Sequence, residues 1–220
     1  MNFLESIQKT VPTYETVLPF SKKLVKFQPF KVKDAKNISI ILQEENKKLA
    51  LNAMVELLTT NSSGANILDL CLADAEFLFL QIRAKSVDER LNLIVNNEKI
   101  SVFIPDILHK NNIKNDNIIL SDKMNIVVET PTIKDLIKLE SLEHIDLMKA
   151  CIKKVVSDGE IFYVNKFLSD EIKNLLDNLP MNVLPKLENF LKNQPELYVI
   201  LQTQTGSKEV SGFLSFFTFR

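Results

Sequence analysis

A strand closed by proline and followed within a few residues by a Lys-Asp pair occurs twice in this chain. That recurrence constrains the fold more than any other feature. The first instance is Val25-Lys26-Phe27-Gln28-Pro29, continuing into Phe30-Lys31-Val32-Lys33-Asp34; the second is a strand over 124–129, then Pro131-Thr132-Ile133-Lys134-Asp135. The residue before a proline is pushed towards extended backbone, so each proline ends its strand. An aspartate at this point is a helix-start signal.

Both instances lead into a similar series of elements. After Asp34, Ile38, Ile41 and Leu42 share one helical face, and Leu51, Met54, Val55 and Leu58 share another. Asn61-Ser62-Ser63-Gly64 ends the second helix, and a third, markedly apolar helix covers 74–85. The period then changes to two: Leu91, Leu93 and Val95 run up to Asn96-Asn97-Glu98-Lys99, and Ile100, Val102 and Ile104 run back, a β-hairpin. The second instance continues through helices, a turn at Ser157-Asp158-Gly159, helices over 167–179 and 184–193, and strands over 197–202 and 209–213. An α+β fold of two tandem divergent repeats is expected, each a strand, two or three helices and a β-hairpin. The rival is chance recurrence of a common order; the shared proline and Lys-Asp favour duplication. The expected divisions are an arm at 1–16, a first repeat at 17–107, a polar linker at 108–122 and a second repeat at 123–220. A hairpin is also expected over 18–27, turning at Ser21-Lys22-Lys23.

Composition removes several functions. Lys+Arg number 27 against 28 Asp+Glu, a net charge of -1, without the basic excess of a nucleic-acid binder. No apolar run approaches the roughly 20 residues of a bilayer-spanning helix. The first ten residues lack an export signal, so a cytoplasm is the expected site of synthesis. Cys71 and Cys151 sit in apolar helical contexts and read as reduced, buried thiols. His144 has carboxylates at Glu143 and Asp146, but neighbours on a helix point apart and form no dyad. His109 has no acid near it. G-x-S-x-G, H-E-x-x-H and P-loop patterns are absent. Glu44-Glu45, Asp170-Glu171, Lys22-Lys23, Lys47-Lys48 and Lys153-Lys154 read as solvated faces. The expectation is a protein without catalysis, cofactor, metal, nucleic acid or small-molecule ligand.

The aromatic residues point elsewhere. There are 14 Phe and no Trp, and Phe213, Phe216, Phe217 and Phe219 crowd the C-terminal end. Chain ends are normally polar, so a tail this apolar is buried either in its own core or against a partner. Alternation sets Phe217 and Phe219 on one face and Phe216 on the other. Phe216, Phe217 and Phe219, with Tyr14 of the arm, are the candidate partner-binding residues.

Several blocks together resemble a known family. They are Pro12-Thr13-Tyr14 with Val17-Leu18-Pro19, the stretch from Val25 to Asp34, the run Glu76-Phe77-Leu78-Phe79-Leu80-Gln81-Ile82-Arg83-Ala84-Lys85-Ser86-Val87, and Gly212-Phe213-Leu214-Ser215-Phe216-Phe217. The chain resembles the baseplate hub subunits of T4-like contractile-tailed bacteriophages. The resemblance implies a structural or assembly subunit of the central hub, made in the host cytoplasm and contacting other hub and tail proteins. A transient assembly chaperone, absent from the finished virion, is the alternative it leaves open. It also suggests small zinc knuckles, with a Cys-x-x-Cys pair in each hairpin turn. Here the turns read Asn96-Asn97-Glu98-Lys99 and Gln204-Thr205-Gly206-Ser207, so no metal role carries over.

Overall fold

The computed structural model describes residues 10–43, 46–96, 98–164, 169–204, 206–212 and 215–216. The fold is α+β, with seven helices and twelve strands in four small sheets among the described residues. The chain divides into two compact units. One runs to Lys110 and resumes at Glu196; the other is Asn111–Pro195.

The first unit opens with the hairpin of β1 (Tyr14–Val17) and β2 (Leu24–Phe27), in register Tyr14↔Phe27. Its tight turn includes Lys22 at φ 59 and is held from outside: the Asp74 carboxylate accepts from Phe20 N at 3.0 Å and Ser21 N at 2.8 Å. After Pro29, a 3-10 turn over Val32–Asp34 leads into α1 (Ala35–Gln43) and α2 (Lys47–Asn61). Asn46 starts α2 by accepting from Lys48 N and Leu49 N. Ala50, Met54, Leu57, Leu58 and Asn61 are buried at helical spacing along α2. The short β3 (Ser62–Ser63) then pairs antiparallel with β2.

α3 (Leu72–Ser86) is buried on almost every side, including Asp74, Glu76 and Arg83. Its Arg83 guanidinium donates to the carbonyls of Asp88 and Arg90 at 2.9 and 3.1 Å, tying the helix end to the next strand. β4 (Arg90–Val95) and β5 (Glu98–Phe103) form the second hairpin, with Leu91, Leu93, Val95 and Val102 buried. β6 (Leu108–Lys110), β11 (Glu196–Thr203) and β12 (Gly206–Ser211) complete the unit in the order β12-β11-β6. One core joins the β4–β5 hairpin and β11 to α3 through Leu80, Leu91, Leu93, Leu197, Val199 and Leu201.

The second unit is a four-stranded antiparallel sheet of order β10-β9-β8-β7 with helices. Its strands are β7 (Asn115–Ser121), β8 (Met124–Glu129), β9 (Ile152–Ser157) and β10 (Glu160–Tyr163). α4 (Ile133–Leu136) and α5 (His144–Cys151) lie between β8 and β9 in sequence; α6 (Ser169–Asp177) and α7 (Leu184–Lys192) follow β10. Ile126, Val128, Met148, Ile152, Leu187 and Phe190 are among its buried core.

Several boundaries differ from the expected ones. The stretch 108–122, expected as a linker, contains β6 and β7. Neither shows a buried alternating face: β6 is largely exposed, and Ile118 is the only buried residue of β7. The first strand lies at 14–17, partly inside the expected arm, and residues 1–9 lie outside the described ones. The C-terminal hairpin, expected to close a second repeat, packs in the first unit, because β11 pairs with β6 in register Glu196↔Lys110. Pairing across so long a sequence gap leaves no local signature. The turn at Asp158-Gly159 is a hairpin turn joining β9 to β10, with Asp158 at φ 50 and Gly159 at φ 85.

Candidate functional site

The two proline-closed strands each deliver an aspartate to the same local task. Asp34 accepts from the backbone N–H of Lys31 at 2.8 Å, and Asp135 accepts from that of Thr132 at 2.9 Å. Each also reaches the junction between the second helix and the third strand of its unit. Asn61 Nδ2 donates to Asp34 at 3.2 Å; Lys153 Nζ donates to Asp135 at 2.6 Å.

In the second unit this corner opens into a charged cleft of about 720 Å3, lined by Asp135, Asp146, Lys149, Lys153, Lys154 and Tyr163 among others. Two half-buried ion pairs stand in it, Lys153–Asp135 at 2.6 Å and Lys149–Asp146 at 2.8 Å. Burial pushes the Asp135 carboxyl up, but the hydrogen bonds from Lys153 and Thr132 outweigh it, and the net shift is downward. Asp146 behaves alike: burial raises it, and Lys149 with Ser141 brings it below the ordinary value. Carboxylates held ionised by neighbouring ammonium groups are poor proton donors and acceptors near neutral pH.

The two thiols are enclosed, and the two histidines are exposed. Burial raises Cys71 to about 12, with the Asp74 charge adding to it, and burial likewise raises Cys151 to about 12. A buried thiol raised in this way holds little thiolate at neutral pH. His144 is the exposed first residue of α5. His109 lies on β6, edge-on to Phe20 at 5.6 Å between centroids. No group of three His, Cys, Asp or Glu side chains could hold a metal among the described residues. Nor is any helix among them long and apolar enough to cross a membrane.

The sequence candidates for partner binding separate. Tyr14 is half-buried on β1, stacked on Phe27 at 5.7 Å, with the Lys85 ammonium 5.7 Å from its ring centre. Phe216 is 1% exposed and belongs to the first unit's own core, which removes it as a surface anchor. Just before it, Ser215 N donates to Gly212 O and Ser215 Oγ to Ser211 O. Phe217 and Phe219 lie outside the described residues, as does Phe213. Of the four candidates only Tyr14 and Phe216 are among the described residues, one half-buried on β1 and the other in the core.

A family model, described as T4 bacteriophage base plate protein, matches residues 11–218. The chain belongs to that family. It is a phage baseplate structural protein, and other baseplate proteins are its partners at that level. No curated protein and no solved structure matches it.

For a baseplate protein the relevant geometry is exposed apolar surface, and one such stretch was not anticipated from the sequence. β10 is an edge strand of the second unit's sheet, and Ile161, Phe162 and Tyr163 are 52%, 41% and 48% exposed along it. The signal was available: Asp-Gly after a β-branched run announces a hairpin, and after Glu160 come four consecutive apolar residues, Ile161 to Val164. The two turns that lack cysteine are instead joined by polar bonds. Lys208 Nζ donates to Asn96 Oδ1 at 3.1 Å, and Gln204 N donates to the Glu98 carboxylate at 3.3 Å.

Proposed function

We propose that this baseplate protein is a subunit of the central hub of a contractile phage tail. It works through protein–protein contacts, without catalysis, cofactor, nucleic acid or small-molecule ligand, and is assembled in the host cytoplasm. The observation that carries the reading is the family match over residues 11–218, which spans both compact units. The chemistry supports it: the two thiols are enclosed, and Asp135 and Asp146 are committed to lysine partners. A near-neutral charge of -1 supports the exclusion of nucleic acid.

The contact surface in this reading is the β10 edge of the sheet, along which Ile161, Phe162 and Tyr163 expose apolar and aromatic side chains. Tyr14 is assigned as a secondary contact. The shared order of strand pair, proline, capping aspartate, helices and third strand supports a further reading, that the two halves descend from one ancestral stretch. Quantitative mass spectrometry of purified virions and of hub assembly intermediates tests the function. The hub reading expects the protein in both, in fixed ratio to hub proteins. Presence in intermediates and absence from virions would make it a transient assembly chaperone.

A further inference from the structure

We propose that residues 111–195 fold as an independent module inserted into the first unit through a two-strand stem, so that either unit can lose its structure while the other retains its own. The boundary residues carry most of the weight. Lys110, the last residue before the module, and Glu196, the first after it, are directly paired in the β6–β11 ladder. The chain therefore leaves the first unit and returns to it at one point, and that unit's ladder is complete across the insertion.

The stem is fastened on both sides. On the first-unit side the Lys110 ammonium lies 3.2 Å from Glu196, pairs also with Glu209 of β12, and sits 5.3 Å from the Tyr198 ring centre. On the module side Asn111 adopts φ 61, and its amide donates to Gln194 O at 3.0 Å. Asparagine is one of the few residues that accept a left-handed backbone readily, so a sharp turn out of β6 costs little here.

Each side also has what a fold needs. The module's sheet is made wholly of β7, β8, β9 and β10, and the sheets of the first unit are made wholly of its own strands. The two apolar cores have no residue in common. The module's length is well above the roughly 40 residues below which a chain needs disulfides or metals to hold. Domains whose ends meet are the ones that tolerate insertion into a host.

Amide hydrogen exchange, read by mass spectrometry on full-length protein, tests the proposal. Ile126, fully buried in the module, is replaced in Ile126→Asp; Leu93, 2% exposed in the first unit's core, is replaced in Leu93→Asp. Ile126→Asp is expected to speed exchange in β7, β8 and β9 at least about a hundredfold while α3, β4 and β5 stay within about threefold of wild type. Leu93→Asp is expected to give the mirror pattern. The milder pair Ile126→Ala and Leu93→Ala should show the same one-sidedness at smaller amplitude, which covers insolubility of the aspartate variants. A common acceleration of both units by any of these substitutions would overturn the proposal.

Discussion

The corner built by Asp34 and the corner built by Asp135 share a backbone plan and differ in electrostatics. Both aspartates follow a strand-closing proline, receive a backbone N–H three residues upstream, and bind a side chain at the helix-to-strand junction. Asp34 is 6% exposed and its second partner is the amide of Asn61, itself 4% exposed. Asp135 keeps 30% of its side chain exposed, and its second partner is the ammonium of Lys153. Solvent access accounts for the choice. A second charge brought into the Asp34 corner would lose hydration that the pair could not recover, whereas Lys153 stands in an open cleft and keeps part of its water.

Exchanging the partners is the sharpest way to break that comparison. Asn61→Lys should destabilise the first unit by about 4 kcal/mol, because it enlarges a packed site and buries an ammonium. Urea denaturation followed by segment-resolved hydrogen exchange would show it; a cost near that of a surface substitution would mean the corner is not closed. Asp34→Ala comes next, at about 2–3 kcal/mol, since it leaves the part-buried Lys31 N without its acceptor and the buried Asn61 amide with the Leu57 carbonyl alone. Asp135→Ala should cost the second unit only about 1–2 kcal/mol, because water reaches the groups it strands. Equal losses for the two aspartates would remove the distinction between the corners.

The smallest effects concern the ion pair itself. Lys153→Asn, which copies the first unit's solution into the second, should cost under about 1 kcal/mol by the same denaturation measurement. Acid should act on this corner too. The Asp135 carboxyl is depressed in the folded state, so its stabilisation is complete above the unfolded value of about 3.9 and fades as pH falls through the lower folded value. Asp135→Asn should flatten the acid limb of the second unit's stability below about pH 4, while an unchanged limb would place the titration elsewhere.

Much of the local structure was legible because its causes are local. Asp34 signalled a helix start and sits at one; Leu51, Met54 and Leu58 share a buried helical face; Leu91, Leu93 and Val95 alternate inward as β4. The recurring proline and Lys-Asp marked two real capping corners. What escaped was set by distant residues. β6 has three residues and an exposed pattern, so only its pairing with β11 makes it a strand. The same pairing takes the C-terminal hairpin away from the half that precedes it in sequence. Phe216 shows the corresponding limit for function: a tail phenylalanine reads alike whether it fills its own core or waits for a partner, and only its burial at 1% exposure separates the two. The charged cleft was invisible for another reason, since Lys153-Lys154 carries no mark that one lysine faces Asp135.

Contact through the β10 edge is the point on which the functional account stands. The most direct measurement is quantitative affinity capture of full-length protein from infected cells, comparing wild type with Phe162→Asp, whose fold is checked by an unchanged hydrogen-exchange pattern. Phe162 is 41% exposed, so the substitution should leave the core intact. The account predicts enrichment of baseplate hub proteins with the wild type and at least about a tenfold loss with the variant, as expected when a central aromatic anchor is replaced by a charge. Undiminished capture of the same hub proteins by a correctly folded Phe162→Asp variant would contradict it.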